Sequence, residues 1–128
     1  MLLFTSFFSI GQVANFSTDY MENCKWNDST QKFSDCTGSD DATLFKLNKD
    51  KTQFVHYTPS IKSTYFVDSW SYDQPNDVYI YQVTSDIGNK YTFVVDLTSE
   101  QIRILGTDSY GKYYMIKHYI KKYWVENQ

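Results

Sequence analysis

The chain has 128 residues and a formal charge of −3, with a sequence pI of about 5.2. A single domain typically takes about 100–150 residues, so one core that needs no metal accounts for the length. The acidic balance argues against a general nucleic-acid binder, which is usually basic.

Met1–Ile10, MLLFTSFFSI, is apolar and uncharged, and Gly11-Gln12 follows. It is shorter than the about 20 residues a helix needs to span a bilayer. It reads as the apolar region of a signal peptide, without the usual basic segment before it, ending at a small residue before Gln12 or Val13. A first buried strand is the alternative. Residues 1–12 are therefore set apart as a signal-peptide remnant, and 13–128 form a single β domain.

Asn15–Asp19 is a polar lead-in. Tyr20–Trp26 and Gln31–Thr37 then predict a hairpin about the turn chemistry of Asn27-Asp28-Ser29-Thr30. That hairpin would let Cys24 and Cys36 face each other. A disulfide closing so short a loop contributes about 3 kcal/mol, mainly by restricting the unfolded chain, provided the chain is exported to an oxidising compartment. Two buried thiols are the alternative. A zinc site is poorly supported, because His56 and His118 lack ligand spacing to the cysteines.

Thr37–Asp41 reads as an acidic loop. Thr43–Leu47 and Thr52–Thr58 are strands about the charged turn Asn48–Lys51, and Pro59 ends the second because it has no N–H for a ladder. Ser63–Trp70 is the next strand, and Ser71–Asp77 is the longest clear loop. The strongest pattern lies in Val78–Leu105. Tyr79, Tyr81 and Val83 alternate with Val78, Ile80 and Gln82, and Tyr91, Phe93, Val95 and Leu97 alternate with Thr92, Val94 and Asp96. That is period two, built from β-branched and aromatic residues. Asp86-Ile87-Gly88-Asn89 turns between the two runs, because Gly and Asn tolerate positive φ. Ile102–Leu105 is a third short strand.

Lys112–Trp124 fits two templates. On helical spacing Tyr113, Ile116, Ile120 and Tyr123 share a face. On strand spacing Tyr114, Ile116, His118, Ile120 and Trp124 do, with Lys122 interrupting. The glycines at 106 and 111 and the density of Tyr favour a strand over 112–120. The fold class is all-β: a single antiparallel meander of eight or nine strands, forming a small barrel or strongly twisted sheet, with a C-terminal helix as the alternative ending.

The order of elements over Thr43–Leu105, ending in Phe93-Val94-Val95-Asp96-Leu97-Thr98-Ser99-Glu100-Gln101-Ile102-Arg103-Ile104, resembles the lipocalin-like small secreted β-proteins of Bacteroidetes-type bacteria. Phe7-Phe8-Ser9-Ile10-Gly11-Gln12 is similar to their signal-peptide ends. The resemblance covers about half the chain, and its motifs are unspecific. It departs at the N-terminus, where Gly-x-Trp is missing although Trp26 lies early, and at Cys24 and Cys36, which stand outside the general pattern. It implies a barrel with a cavity and names no ligand.

Candidate chemistry is sparse. His56 and His118 have neither a nucleophile nor an acid at a meaningful spacing, so no catalytic residue, metal ligand or cofactor is assigned. Asp35, Asp40 and Asp41 with Gly38 and Ser39 form an oxygen-rich stretch without the spacing of a calcium loop. Lys112, Lys117, Lys121 and Lys122 interleave with Tyr113, Tyr114, Tyr119, Tyr123 and Trp124, which reads as a basic exposed face on a terminal strand. Trp70, Tyr72, Tyr79, Tyr81, Tyr91 and Phe93 are the candidate ligand-binding residues, with Trp70 and Tyr72 at a pocket rim. The function expected is a non-enzymatic exported binding module for a small apolar ligand or a protein partner, without a stable membrane span. A protein-interaction or inhibitor domain using a sheet edge or the Cys24–Cys36 hairpin is the alternative, and an unrecognised hydrolase stands below both.

Overall fold

Alternating side chains translate into eight antiparallel strands: β1 (Gln12–Asn27), β2 (Lys32–Leu47), β3 (Gln53–Tyr57), β4 (Lys62–Asp73), β5 (Val78–Ser85), β6 (Lys90–Asp96), β7 (Gln101–Thr107) and β8 (Tyr113–Asn127). The structure is a computed structural model and describes residues 12–127. Each strand pairs with the next, and β8 returns to pair with β1, so the meander closes on itself. Closure pairs many of the edge groups that an open sheet would leave bare, while parts of the longer strands β2 and β4 pair on one side only. The ring is irregular, because β3 has five residues and β1 sixteen. Among the described residues no helix is long and apolar enough to cross a membrane.

The meander expected from the turn signals is therefore present, with eight strands, and the hairpin of β5 and β6 holds the register Tyr81↔Phe93 and Val83↔Tyr91. Of residues 1–12, read as a signal-peptide remnant, 1–11 lie outside the described residues, and Gln12 is the first residue of β1.

Three segments differ from the reading of the sequence. Asn15–Asp19 is strand, not lead-in, and its Phe16 is fully buried and stacks on Tyr123 at 5.0 Å. Thr37–Asp41 is also strand, not loop. Gly, Ser and Asp are poor strand formers alone, but the register Met21↔Ser39, Glu22↔Gly38, Asn23↔Thr37 holds them against β1. Gly38 leaves the space that the Tyr20 ring fills. Ser71–Asp73 extends β4, so the turn shrinks to the segment around Gln74, whose carbonyl accepts the Asp77 N–H at 3.2 Å.

The last segment is a strand, and the helical template fails for an instructive reason. Ser17 pairs with Lys122 and Thr18 with Ile120, so Lys121 is an extra residue in β8. A bulge of this kind moves every later side chain to the opposite face. Ile116 and Ile120 pack on the core before it, and Tyr123 and Val125 after it. Two phases of period two, joined by one bulge, imitate the spacing of a helix.

The Cys24–Cys36 disulfide forms across β1 and β2, with the two Cα atoms 4.0 Å apart. It is consistent with an exported protein. The core is aromatic: Phe16, Phe45, Phe54, Tyr81 and Phe93 are all fully buried. Phe54 meets Tyr81 edge-on at 4.9 Å and Phe93 at 5.1 Å. Each such ring contributes roughly 1.5–3 kcal/mol of burial.

Candidate functional site: a cleft beside the turn from β7 to β8

At one end of the ring, β1 and β8 run side by side in the register Asn23↔Ile116 and Lys25↔Tyr114. The turn between β7 and β8 closes over them. Asp108 organises that turn: its Oδ1 accepts the N–H groups of Tyr110 and Lys112 at 2.9 and 3.0 Å. Gly111 supplies the positive φ the turn needs. Between these elements lies a cleft of about 630 Å³, lined by Asn23, Lys25, Trp26, Asp108, Lys112, Tyr113, Tyr114 and Ile116. A neighbouring cleft of about 260 Å³ shares Tyr113 and Tyr114 and adds Phe33 and Leu105. Trp26 packs edge-on against Phe33 at 5.0 Å and against Tyr113 at 6.3 Å, and its Nε1–H donates to Asp28 at 2.9 Å.

Tyr114, like Tyr113, lines both clefts. Its ring and that of Tyr91 lie over the backbone of Gly106, where a Cβ would approach the Tyr114 Oη and the Tyr91 Cδ1 to 2.9 Å each. Burial, with the neighbouring Tyr91, pushes its phenol up to about 12. Tyr114 is therefore a neutral hydroxyl at physiological pH.

Further along the inner face the two histidines meet. His56 stacks flat on Phe45 at 4.2 Å, and His118 meets the same ring edge-on at 5.0 Å. The two imidazole centroids are 5.6 Å apart. Burial holds both below the ordinary histidine range. His118 is pushed down to about 4, with His56 beside it adding to the effect, while Asp41 partly offsets the burial of His56. Asp41 Oδ2 lies 3.9 Å from His118 Nδ1, a contact between a carboxylate and a neutral ring at pH 7. His56 Nε2 and His118 Nδ1 are buried without a hydrogen-bond partner among the described residues. Ser63 is the cross-strand neighbour of His56, and His56 Nε2 receives no proton from it.

The six aromatic candidates are linked, through Phe54 and Tyr65, into one continuous chain of rings. Tyr72 packs on Tyr79 at 4.5 Å, and Trp70 lies 6.3 Å from Tyr79 and 6.2 Å from Tyr81. Phe54 carries the chain from Tyr81 to Phe93, and Tyr65 carries it from Phe93 to Tyr91. Tyr81 and Phe93 are fully buried core residues, whereas Trp70 and Tyr72 are exposed on β4. Lys51 caps Trp70 at 5.2 Å, and Tyr72 donates to Asp77 at 2.9 Å.

The other candidate groups disperse. Asp35 sits at a bulge with positive φ, and Asp41 turns toward His118, so the acidic stretch is spread along a strand. Among the described residues no three His, Cys, Asp or Glu side chains converge to hold a metal ion. Of the terminal lysines, Lys117 pairs with Glu22 at 3.4 Å and Lys122 lies over Trp124 at 5.2 Å. Glu22 also accepts from Tyr119 at 2.7 Å, which with Lys117 holds its carboxyl below the usual range. Lys112, Tyr113 and Tyr114 do reach the end cleft. Asn23, Lys25, Trp26 and Ile116 were not legible as site residues, because only the pairing of β1 with β8 puts them there. No protein-family model, curated protein or solved structure matches the chain.

Proposed function

We propose that this protein is an exported, non-enzymatic binding module, of the lipocalin-like kind its sequence resembles, which takes a small and largely apolar ligand in the end cleft. The cleft itself carries this reading. About 630 Å³ falls within the roughly 300–1,000 Å³ of small-molecule sites. Its lining combines aromatic and aliphatic groups from Trp26, Tyr113, Tyr114 and Ile116 with the polar and charged side chains of Asn23, Lys25, Asp108 and Lys112. The disulfide supports export, and the buried, neutral histidines, which hold no nucleophile, support binding rather than catalysis.

The test is titration with N-phenyl-1-naphthylamine, a neutral dye that brightens in apolar sites. Saturable binding by the wild type and at least tenfold weaker binding by Asn23→Trp, which fills the cleft from an exposed position, is the expected outcome. Equal binding by the two proteins would place the site elsewhere.

A second reading is favoured by one observation. β3 pairs only with Lys62–Phe66 of β4, so Ser69–Asp73 pairs with β5 alone and shows a bare edge beside exposed Trp70 and Tyr72. Such an edge suits strand addition by a protein partner. If copies of the chain add there, sedimentation will detect a dimer that Tyr72→Lys disrupts. A monomer at all concentrations removes self-pairing.

A further inference from the structure

Six lysines of this protein are engaged by a carboxylate or an aromatic ring among the described residues. Lys46, Lys90 and Lys117 pair with Glu126, Asp68 and Glu22 at 3.4, 3.6 and 3.4 Å. Lys51, Lys62 and Lys122 lie over aromatic rings. Lys25 and Lys112, which both line the end cleft, do neither among the described residues. One comes from β1 and the other from the turn before β8, so two unneutralised ammonium groups approach one cavity from different elements. Asp108 is the single carboxylate in the lining, and its Oδ1 is committed to two backbone N–H groups of the turn. The cleft therefore carries a net positive charge in a protein whose overall charge is −3.

The rest of the lining narrows the ligand further. Trp26, Tyr113 and Tyr114 present aromatic surface, which favours ring-on-ring contact. The exposed Asn23 amide is a neutral donor suited to an oxyanion, and charge-assisted hydrogen bonds are about twice as strong as neutral ones.

We propose that the end cleft selects a flat aromatic monoanion, an aryl carboxylate or sulfonate, with its charge held by Lys25 and Lys112 and its rings against Trp26 and Tyr114. This rests on the end cleft being the binding site, and it adds the chemical class of what binds there.

The test is competition of 1-naphthoate and 1-naphthalenemethanol, two molecules of the same ring and nearly the same size, against N-phenyl-1-naphthylamine on the full chain. The acid should bind at least tenfold more tightly than the alcohol at low salt, and the gap should narrow as salt rises. In Lys25→Gln/Lys112→Gln the ratio of the two affinities should fall close to one. In Asp108→Asn, which keeps the acceptor of the turn, it should rise about threefold by the arithmetic of one removed like charge. Near-ultraviolet circular dichroism of each variant checks that it is folded. An acid-to-alcohol ratio near one in the wild type, or a ratio unchanged in the double variant, would overturn the anion specificity while leaving the cleft as a binding site. Failure of both molecules to displace the dye would overturn the cleft itself.

Discussion

His118 is 3% exposed, and its burial makes protonation costly. In the unfolded chain it titrates near 6.5, and in the folded protein near 4. The unfolded state therefore binds the proton first as pH falls, so the stabilisation is complete above about 6.5 and is lost progressively as pH drops toward 4. The shift corresponds to about 3 kcal/mol at most. His56 acts in the same direction. Urea unfolding at pH 7 and pH 4 should show the wild type losing stability over this interval, with a clearly shallower pH dependence in His118→Gln. An equal slope in the two proteins would assign the acid sensitivity to other groups. Nothing in the sequence marked these rings as neighbours: 62 positions separate His56 from His118, and while the β2–β3 pairing sets His56 opposite Phe45, only the closing of β8 onto β1 brings His118 to the same ring.

At the level of elements, the hairpin of β1 and β2 shows what local patterning reveals and what it hides. Its turn was legible from Asn27-Asp28-Ser29-Thr30, and Asn27 Oδ1 does accept the N–H groups of Ser29 and Thr30 at 2.9 and 3.1 Å. The facing of Cys24 and Cys36 followed from that turn. The length of the strands did not, because glycine, serine and aspartate at 38–41 look like a loop until β1 lies against them. Turn positions were similarly hidden. Among the described residues, five other than glycine, including Gln31 and Glu100, take positive φ, as do Gly88 and Gly111. The disulfide spans 12 positions, so by loop entropy its removal in Cys24→Ser/Cys36→Ser should lower stability by about 3 kcal/mol, read as a lower urea midpoint. A loss below about 1 kcal/mol would mean that the hairpin is held mainly by its pairing to β8.

For the whole molecule, the all-β meander was readable because each hairpin is a local event. The closure of the ring and the site were not, because both depend on residues about ninety positions apart. Of the end cleft only Lys112, Tyr113 and Tyr114 stood out beforehand, as part of a basic and aromatic run. Their partners Asn23, Lys25 and Trp26 belong to a strand whose own pattern points to a disulfide hairpin. In the aromatic chain from Trp70 to Phe93, Tyr79, Tyr81 and Phe93 belong to the packed core, while Trp70 and Tyr72 are exposed.

Where a ligand sits is the claim on which the account turns. A titration of 15N-labelled protein with 1-naphthoate, followed by amide chemical shifts, measures it directly. The expected shifts concentrate at Asn23, Lys25, Trp26, Lys112, Tyr114 and Ile116, and those of Ser69–Asp73 on β4 stay in place. Shifts centred on Trp70 and Tyr72, with the end cleft silent, would contradict it.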